Sequence, residues 1–257
     1  MAPDALAVTT CLGTKALPVS VLCSSQDLMQ RLFKSLCRVL RVDLGLVEIS
    51  SHKDAIVNLF LLLYAISSSS RRGYLYGRVK LQKLLYEAQK RMMEKGLRAF
   101  SYVFYRWKHG AYSPEADWGL NWLERNGLVE IADEGISITH EGIEVLEGVK
   151  GLLDRNMEAA KIIQQVAEVY ALDSGKVMKA MAYGLPSPES GKRIGDAERG
   201  EVVLRPLDKE KAPRFFLADD PEIETIEILL DKESRESIEE AMNDARQGRV
   251  APFKSVG

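Results

Sequence analysis

The stretch that most restricts the fold is LERNGLVEIADEGISITHEGIEVL, residues 123–146. A helical pattern ends at Asn126-Gly127, where glycine supplies the left-handed backbone that closes a helix. Two short strand-like segments follow, 128–131 and 136–138, and the four residues between them are so few that the segments must pair as a hairpin. Thr139 then occupies a capping position for a new helix. The stretch therefore predicts a helix, a two-stranded hairpin and a second helix in direct succession.

Upstream patterns add to this unit. Ser113-Pro114-Glu115 combines a hydroxyl cap, a proline at the first helical position and an acid in the first turn, which marks the start of the helix that ends at Asn126. Other elements are predicted from periodicity: helices over 53–67, 77–95, 139–154, 157–171 and 174–183, and a strand over 100–107. The order across 53–154 is that of a winged-helix module. We expect a mainly α fold with a winged-helix-like domain, a small β-hairpin, additional helices and a less regular C-terminal tail.

Three regions are predicted along the chain. Residues 1–50 form an N-terminal extension with a basic amphipathic helix over 26–41, which packs on a core or a dimer mate in preference to a membrane surface. Residues 51–184 form the winged-helix-like domain, and 185–257 form a linker and an acidic tail. The proline-rich stretch 184–213 is read as a linker or an ordered loop. The tail is predicted to contain a strand over 223–230 and a helix over 232–247.

Composition favours a soluble, cytoplasmic protein. The chain has 257 residues, of which 46% are hydrophobic and 28% charged, with a net charge of −2, so nothing global attracts it to nucleic acid. Its longest apolar run, 55–66, is shorter than the roughly 20 residues that a membrane span needs. The three cysteines lack metal-ligand or disulfide spacing, and reduced thiols are expected. No secretory signal is indicated, although an organellar transit peptide or a start codon further downstream would also suit residues 1–25.

Local charge is strongly uneven. Residues 71–108 carry eleven bases and two acids, whereas residues 109–147 carry nine acids and one arginine. A winged helix that reads DNA needs bases on its recognition helix and wing, so this distribution disfavours DNA binding. The basic segment is either a solvated surface that pairs with the neighbouring acids or a docking surface for an acidic partner. The tail, 219–247, holds eleven acids against three bases, and it is suited to a basic partner or to docking on the basic segment.

The sequence contains no recognisable motif for catalysis or for cofactor binding. The three histidines lie far apart without a metal-ligating neighbour, and no phosphate loop or nucleophile elbow is complete. His109, close to Trp107 and Tyr112, is read as a residue that fixes the loop in preference to an acid–base catalyst. We expect no enzyme activity, cofactor or metal.

Several motifs resemble the Panacea domain and the related YwgA-like proteins. They are GRVKLQKLLYEAQK (77–90), the strand that ends in Trp107, KHGAYSPEADWGLNWLERNGLV (108–129) and ITHEG (138–142). The resemblance covers about residues 53–150, with Ala111 where the family usually has proline. It implies protein binding, since Panacea domains occur as antitoxins beside small toxins and SocA-like members act as proteolytic adaptors. The family supplies no catalytic residues.

The sequence thus predicts a non-enzymatic protein-binding module that neutralises a partner protein, such as a small toxin, or acts as an adaptor; the alternative is a winged-helix DNA-binding regulator. A homodimer is also compatible with these patterns. The C-terminal run 234–253 is similar to antitoxin segments that wrap a toxin. The candidate partner-binding residues are Arg78, Lys80, Lys83, Lys90, Arg91, Trp107, His109, Tyr112, Trp118, Arg249 and Phe253.

Overall fold

A computed structural model describes residues 51–70, 75, 77–133, 135–172 and 183–249, and this part of the chain is mainly helical with small sheets. Its eight α-helices are α1 (His52–Ser70), α2 (Gly77–Glu94), α3 (Pro114–Arg125), α4 (His140–Gly148), α5 (Lys150–Arg155), α6 (Met157–Leu172), α7 (Asp220–Leu230) and α8 (Lys232–Arg246). The strands are β1 (Leu97–Arg98), β2 (Phe104–Trp107), β3 (Gly110–Tyr112), β4 (Val129–Ala132), β5 (Gly135–Ile138), β6 (Val202–Leu204) and β7 (Arg214–Phe215). Helix 26–41, most of helix 174–183 and Phe253 lie outside the described residues.

Helix α1 forms the centre of the core. Its residues from Ile56 to Ile66 are all buried, because the run is apolar nearly all round and has no face suited to water. Helices α3, α6 and α7 and strand β5 all contact it. The expected position of this helix in the middle of a domain is confirmed. No helix in the described part of the chain is both long and apolar enough to cross a bilayer.

The predicted helix–hairpin–helix unit is confirmed. Ser113 caps α3 by accepting a hydrogen bond from the backbone of Ala116 at 3.4 Å, and the helix gives way to Gly127 at φ 71°. Strands β4 and β5 then pair in antiparallel fashion. Thr139 caps α4 through its side-chain oxygen. The predicted single helix over 139–154 is interrupted, since α4 ends at Gly148 and α5 begins at Lys150.

The segment between α2 and α3 is a small sheet held by glutamine side chains. The predicted strand over 100–107 is shorter, and β2 pairs with β3 and β6 in the order β3-β2-β6. Gln82 of α2 donates to the carbonyl of Ser113 at 3.0 Å and accepts from its N–H at 2.8 Å. Gln89, two helical turns further on, binds the N–H and carbonyl of Tyr102 in the same way. Each amide thus binds both backbone groups of a buried residue that lies just outside the strands.

Residues after 184 join the same hydrophobic cluster as the helices before them. Ile194, Val203 and Leu204 are buried in it, so the 184–213 stretch packs on the core at these residues. The predicted strand over 223–230 is wrong, because these residues belong to α7. A capping box between Asp219 and Glu222 starts that helix, and its apolar residues face the core at helical spacing. The predicted helix over 232–247 is confirmed as α8.

Candidate partner-binding surface

Two of the predicted site residues, Trp107 and Tyr112, meet on the β2–β3 hairpin. Strand β2 ends at Trp107, the exposed residues Lys108 and His109 form the turn, and β3 starts at Gly110. Gly110 has φ 108°, a backbone conformation that disfavours residues with a Cβ. The strand register places Trp107 opposite Gly110, so its ring is diagonal to Tyr112, and the two rings stack at 6.2 Å with an angle of 29°. The tight turn therefore creates an aromatic pair beside two exposed polar side chains.

The segment 183–201 adds two groups to this hairpin. The guanidinium of Arg199 lies over the Trp107 ring at 4.1 Å, and that of Arg106 lies over the Tyr183 ring at 5.0 Å. The Tyr183 hydroxyl donates to the carbonyl of Lys108 at 2.6 Å, which ties the turn to this segment. We call Arg106, Trp107, Lys108, His109, Tyr112, Tyr183 and Arg199 the hairpin cluster.

The hairpin cluster combines aromatic and basic side chains and contains no acid. Burial, followed by the charge of Asp117, raises the pKa of Tyr112, while Arg78 acts in the opposite direction. Tyr112 therefore remains a neutral phenol at physiological pH. Lys108, His109 and Arg199 are exposed and supply donors for carboxylates beside a large aromatic surface. Among the described residues, no group of three His, Cys, Asp or Glu side chains could hold a metal ion.

The Arg78 side chain binds other residues of its own chain. Its guanidinium donates to Asp117 at 2.9 Å and to Asn121 at 2.7 Å, and so connects the start of α2 to α3. This is one ion pair between the basic segment and the acidic segment, of the kind expected for a solvated surface. Trp118, on the same helix as Asp117, is half-buried and packs against the core. Neither Arg78 nor Trp118 belongs to the hairpin cluster.

The other predicted bases of α2 do not form an open basic surface. Lys80 and Lys83 are 7% and 5% exposed, and each already has an interaction within the protein. Lys90 pairs with Glu94 at 3.7 Å and Arg91 pairs with Glu87 at 2.8 Å, both within the helix. Docking of a partner through Lys80 or Lys83 is inconsistent with their burial.

The acidic tail forms ion pairs with other parts of the described chain. In α7, Glu227 contacts His52 at 3.1 Å, Asp220 contacts Lys53 at 3.8 Å, and Glu222 pairs with Arg155. These partners belong to α1 and α5. The surplus of acids seen in the sequence is thus partly compensated by bases that lie far away along the chain.

Helix α8 is attached mainly at its first turns. Arg235 donates to the carbonyls of Leu229, Leu230 and Asn126 at 2.8, 3.0 and 2.7 Å. The helix has no buried residue, so most of its surface is open to a partner. Arg249, which follows it, pairs with Asp244 at 2.7 Å.

Sequence patterns did not identify Tyr183 and Arg199 as site residues. Tyr183 lies 75 residues beyond Lys108, whose carbonyl it binds. Tyr183 and Arg199 both belong to the stretch 183–201, which has no helical or strand periodicity and a single aromatic residue. The only hint is the presence of arginines in a loop that is rich in glycine and proline. Comparisons with protein-family models, curated proteins and solved structures found no match.

Proposed function

We propose that the protein is a non-enzymatic binding module that holds a partner protein, as an antitoxin or a proteolytic adaptor does. The observation that carries the proposal is the hairpin cluster, in which Trp107 stacks with Tyr112 and Arg199 beside the exposed Lys108 and His109. Trp, Tyr and Arg are the residue types most enriched at energetic centres of protein interfaces. The resemblance of residues 53–150 to the Panacea domain supports the same function.

The fold that we propose for this module is winged-helix-like. Helix α1 is followed by Leu75, which exchanges two backbone hydrogen bonds with Ile136 at 3.0 and 3.3 Å, and then by α2, α3 and the hairpin β4–β5. That order and the third-strand pairing at Leu75 are features of winged helices. Five of the seven residues of the hairpin cluster lie in the segment between α2 and α3, and none belongs to the β4–β5 wing.

The runner-up, a DNA-binding regulator, would use α3 and the wing. In this region Glu124, Glu130 and Asp133 are exposed, and Arg125 is the one exposed base on α3. Carboxylates in these positions would face phosphates and oppose binding. The distribution of charge thus favours a protein partner.

We propose that the partner presents an acidic segment to the hairpin cluster. Lys108, His109 and Arg199 would steer its approach and pair with its carboxylates, while Trp107 supplies apolar contact area. Helix α8 and the residues after it provide a second contact for a basic part of the partner. Neutralisation would follow from occlusion of the partner's own functional surface.

The experiment is a pull-down from native lysate with the full chain, with and without nuclease, read by mass spectrometry. We expect a near-stoichiometric protein that survives nuclease treatment. The variant Arg199→Ala, alone and combined with Trp107→Ala, should reduce its recovery roughly tenfold or more. Arg125→Ala is the matched control, because it removes an exposed arginine from the C-terminal end of α3, whereas the β2–β3 hairpin precedes the N-terminal end. It should leave the recovery of the partner unchanged.

Two results would contradict the proposal. If only DNA were recovered and every protein were lost after nuclease treatment, the regulator would be favoured, and binding would fall steeply with salt. If a nuclease-resistant partner bound the hairpin variants as well as the original chain, the hairpin cluster would not be the binding surface. Circular dichroism of each variant verifies that the fold is retained.

A further inference from the structure

Three large apolar side chains are exposed in or close to strand β7. Phe215 is 42% exposed, Leu217 is 60% exposed and Met157 is 53% exposed. We call these three residues the β7 face. Exposed apolar side chains that occur singly are ordinary, whereas a group of them marks an interaction surface.

Local hydrogen bonds explain why the three residues are neighbours. Strand β7 lies beside β1, and the Phe216 N–H donates to the carbonyl of Arg98 at 2.9 Å. Phe216 is buried, so Phe215 and Leu217 point to the opposite face of this extended segment. The Asn156 amide binds both backbone groups of Leu217, at 2.6 and 2.8 Å, and Met157 is the next residue.

Charges are arranged with opposite signs at the two ends of this segment. At its start, Arg214 and Lys95 share a single carboxylate, that of Glu158, so this end keeps a net positive charge. At its other end, Asp219 and Asp220 stand beside one base, Lys53, which contacts Asp220 at 3.8 Å, so this end keeps a net negative charge; the Asp220 side chain is 93% exposed. Residues 214–220 thus run from positive through apolar to negative.

Such a pattern is complementary to itself when two copies meet in antiparallel orientation. A two-fold axis near Leu217 would bring Arg214 of one copy to Asp220 of the other and would pack the two apolar centres against each other. Closed two-fold dimers require a surface of this kind, in which one patch matches its own copy. The Asn156 amide already binds the N–H and the carbonyl of Leu217, so these groups are not available to pair with a strand of the second copy. The contact would therefore use side chains.

We propose that a second copy of this chain docks on the β7 face and forms a two-fold dimer. The dimer uses a different surface from the hairpin cluster and goes beyond the proposed function. Opposite charges at the ends set the antiparallel orientation, and the apolar centre supplies the contact area.

Sedimentation velocity of the full chain tests the apolar part, over a dilution series from roughly 1 to 100 µM. The original chain should sediment as a dimer at the upper end of this range. The double variant Phe215→Ser and Leu217→Ser should raise the dissociation constant roughly tenfold or more. Ile143→Ser is the matched control, since Ile143 is a 40% exposed apolar residue on α4, and it should dissociate like the original chain.

A charge exchange tests the orientation. Arg214→Asp places acids at both ends of the segment, and Asp220→Arg places bases at both ends, so each variant alone should be a monomer. An equimolar mixture should restore a heterodimer, because each end then meets the opposite charge. Restored dimerisation also shows that both variants are folded.

A monomeric original chain, or dimers that persist in both the serine and the charge variants, would overturn the proposal. Failure of the mixture to recover a dimer would refute the antiparallel orientation and with it the two-fold arrangement. Neither result would bear on the hairpin cluster, since partner recovery in the pull-down depends on other residues.

Discussion

Replacing Gly142 by alanine should destabilise the protein, although alanine favours helix formation. Gly142 lies in α4, and a Cβ built there would come within 2.3 Å of the Leu128 carbonyl oxygen and 2.7 Å of an Ile138 side-chain carbon. Contacts below 3.0 Å essentially never occur for real Cβ atoms, so the carbonyl would have to move by about 0.7 Å. That oxygen already accepts the Thr139 N–H at 3.1 Å, which resists the shift. The β4–β5 hairpin and α4 would therefore be forced apart.

The magnitude follows from three opposing contributions. Helix propensity favours alanine by about 1 kcal/mol. Overpacking costs about 1–3 kcal/mol, and weakening of the hydrogen bond to Leu128 costs about 1 kcal/mol. The net loss in free energy of unfolding is then about 1–3 kcal/mol, or roughly 3–10 °C in Tm for a chain of this size.

Gly151→Ala is the matched control, because Gly151 is also helical and exposed, and a Cβ added there would meet no atom within 4 Å. It should gain about 0.5–1 kcal/mol from helix propensity alone. Thermal unfolding followed by circular dichroism distinguishes the two signs. If Gly142→Ala raised Tm as Gly151→Ala does, the close packing of α4 on the hairpin would be refuted.

Three other perturbations have defined outcomes. Gln82→Met leaves the buried Ser113 N–H without a partner, whereas the Ser113 carbonyl still accepts the Asp117 N–H at 3.2 Å. The loss should be about 1–3 kcal/mol in the free energy of unfolding, measured in urea by tryptophan fluorescence, and the exposed Gln165→Met should change it by less than about 0.5 kcal/mol. Arg235→Ala removes the hydrogen bonds that attach the start of α8. Hydrogen exchange of the α8 backbone amides should accelerate, while Tm falls by less than about 3 °C. Unchanged exchange rates in α8 would count against this attachment. Burial tends to raise the pKa of Asp54, but hydrogen bonds from Lys209 and Ser51 and the positive charges of Arg98 and Lys209 outweigh it and lower the pKa below 3.8. The stability that Asp54 contributes is therefore fully present above pH 3.8 and is lost as pH falls through the lowered pKa, and Asp54→Asn should flatten this part of the stability–pH profile.

Features coded by a few adjacent residues were predictable from the sequence. Ser113-Pro114, Asn126-Gly127 and Thr139 each start or end an element where expected, because capping depends on backbone groups within a few residues. The buried character of α1 was equally clear from its uninterrupted apolar run. Trp107 and Tyr112 of the hairpin cluster were candidates because both lie in the short segment that resembles the Panacea domain.

Features that depend on distant residues were decided by the tertiary structure. Residues 223–230 have the β-branched composition of a strand, yet Asp219 and Glu222 cap them as a helix whose apolar side binds the core. Lys80 and Lys83 read as surface charges, but the elements packed around α2 bury them. Composition reports average preference, and packing overrides it wherever enough apolar area is gained.

The sequence by itself determined the order of most helices and the β4–β5 hairpin, and it named Trp107 and Tyr112 as candidates without predicting β3 or their stacking. Tertiary structure alone brought Arg199 onto Trp107 and placed Phe215 and Leu217 on one exposed face. The physical reason is range: backbone hydrogen bonds and caps act over a few residues, whereas burial and side-chain contacts join positions tens of residues apart, and these positions are known only after the chain has folded.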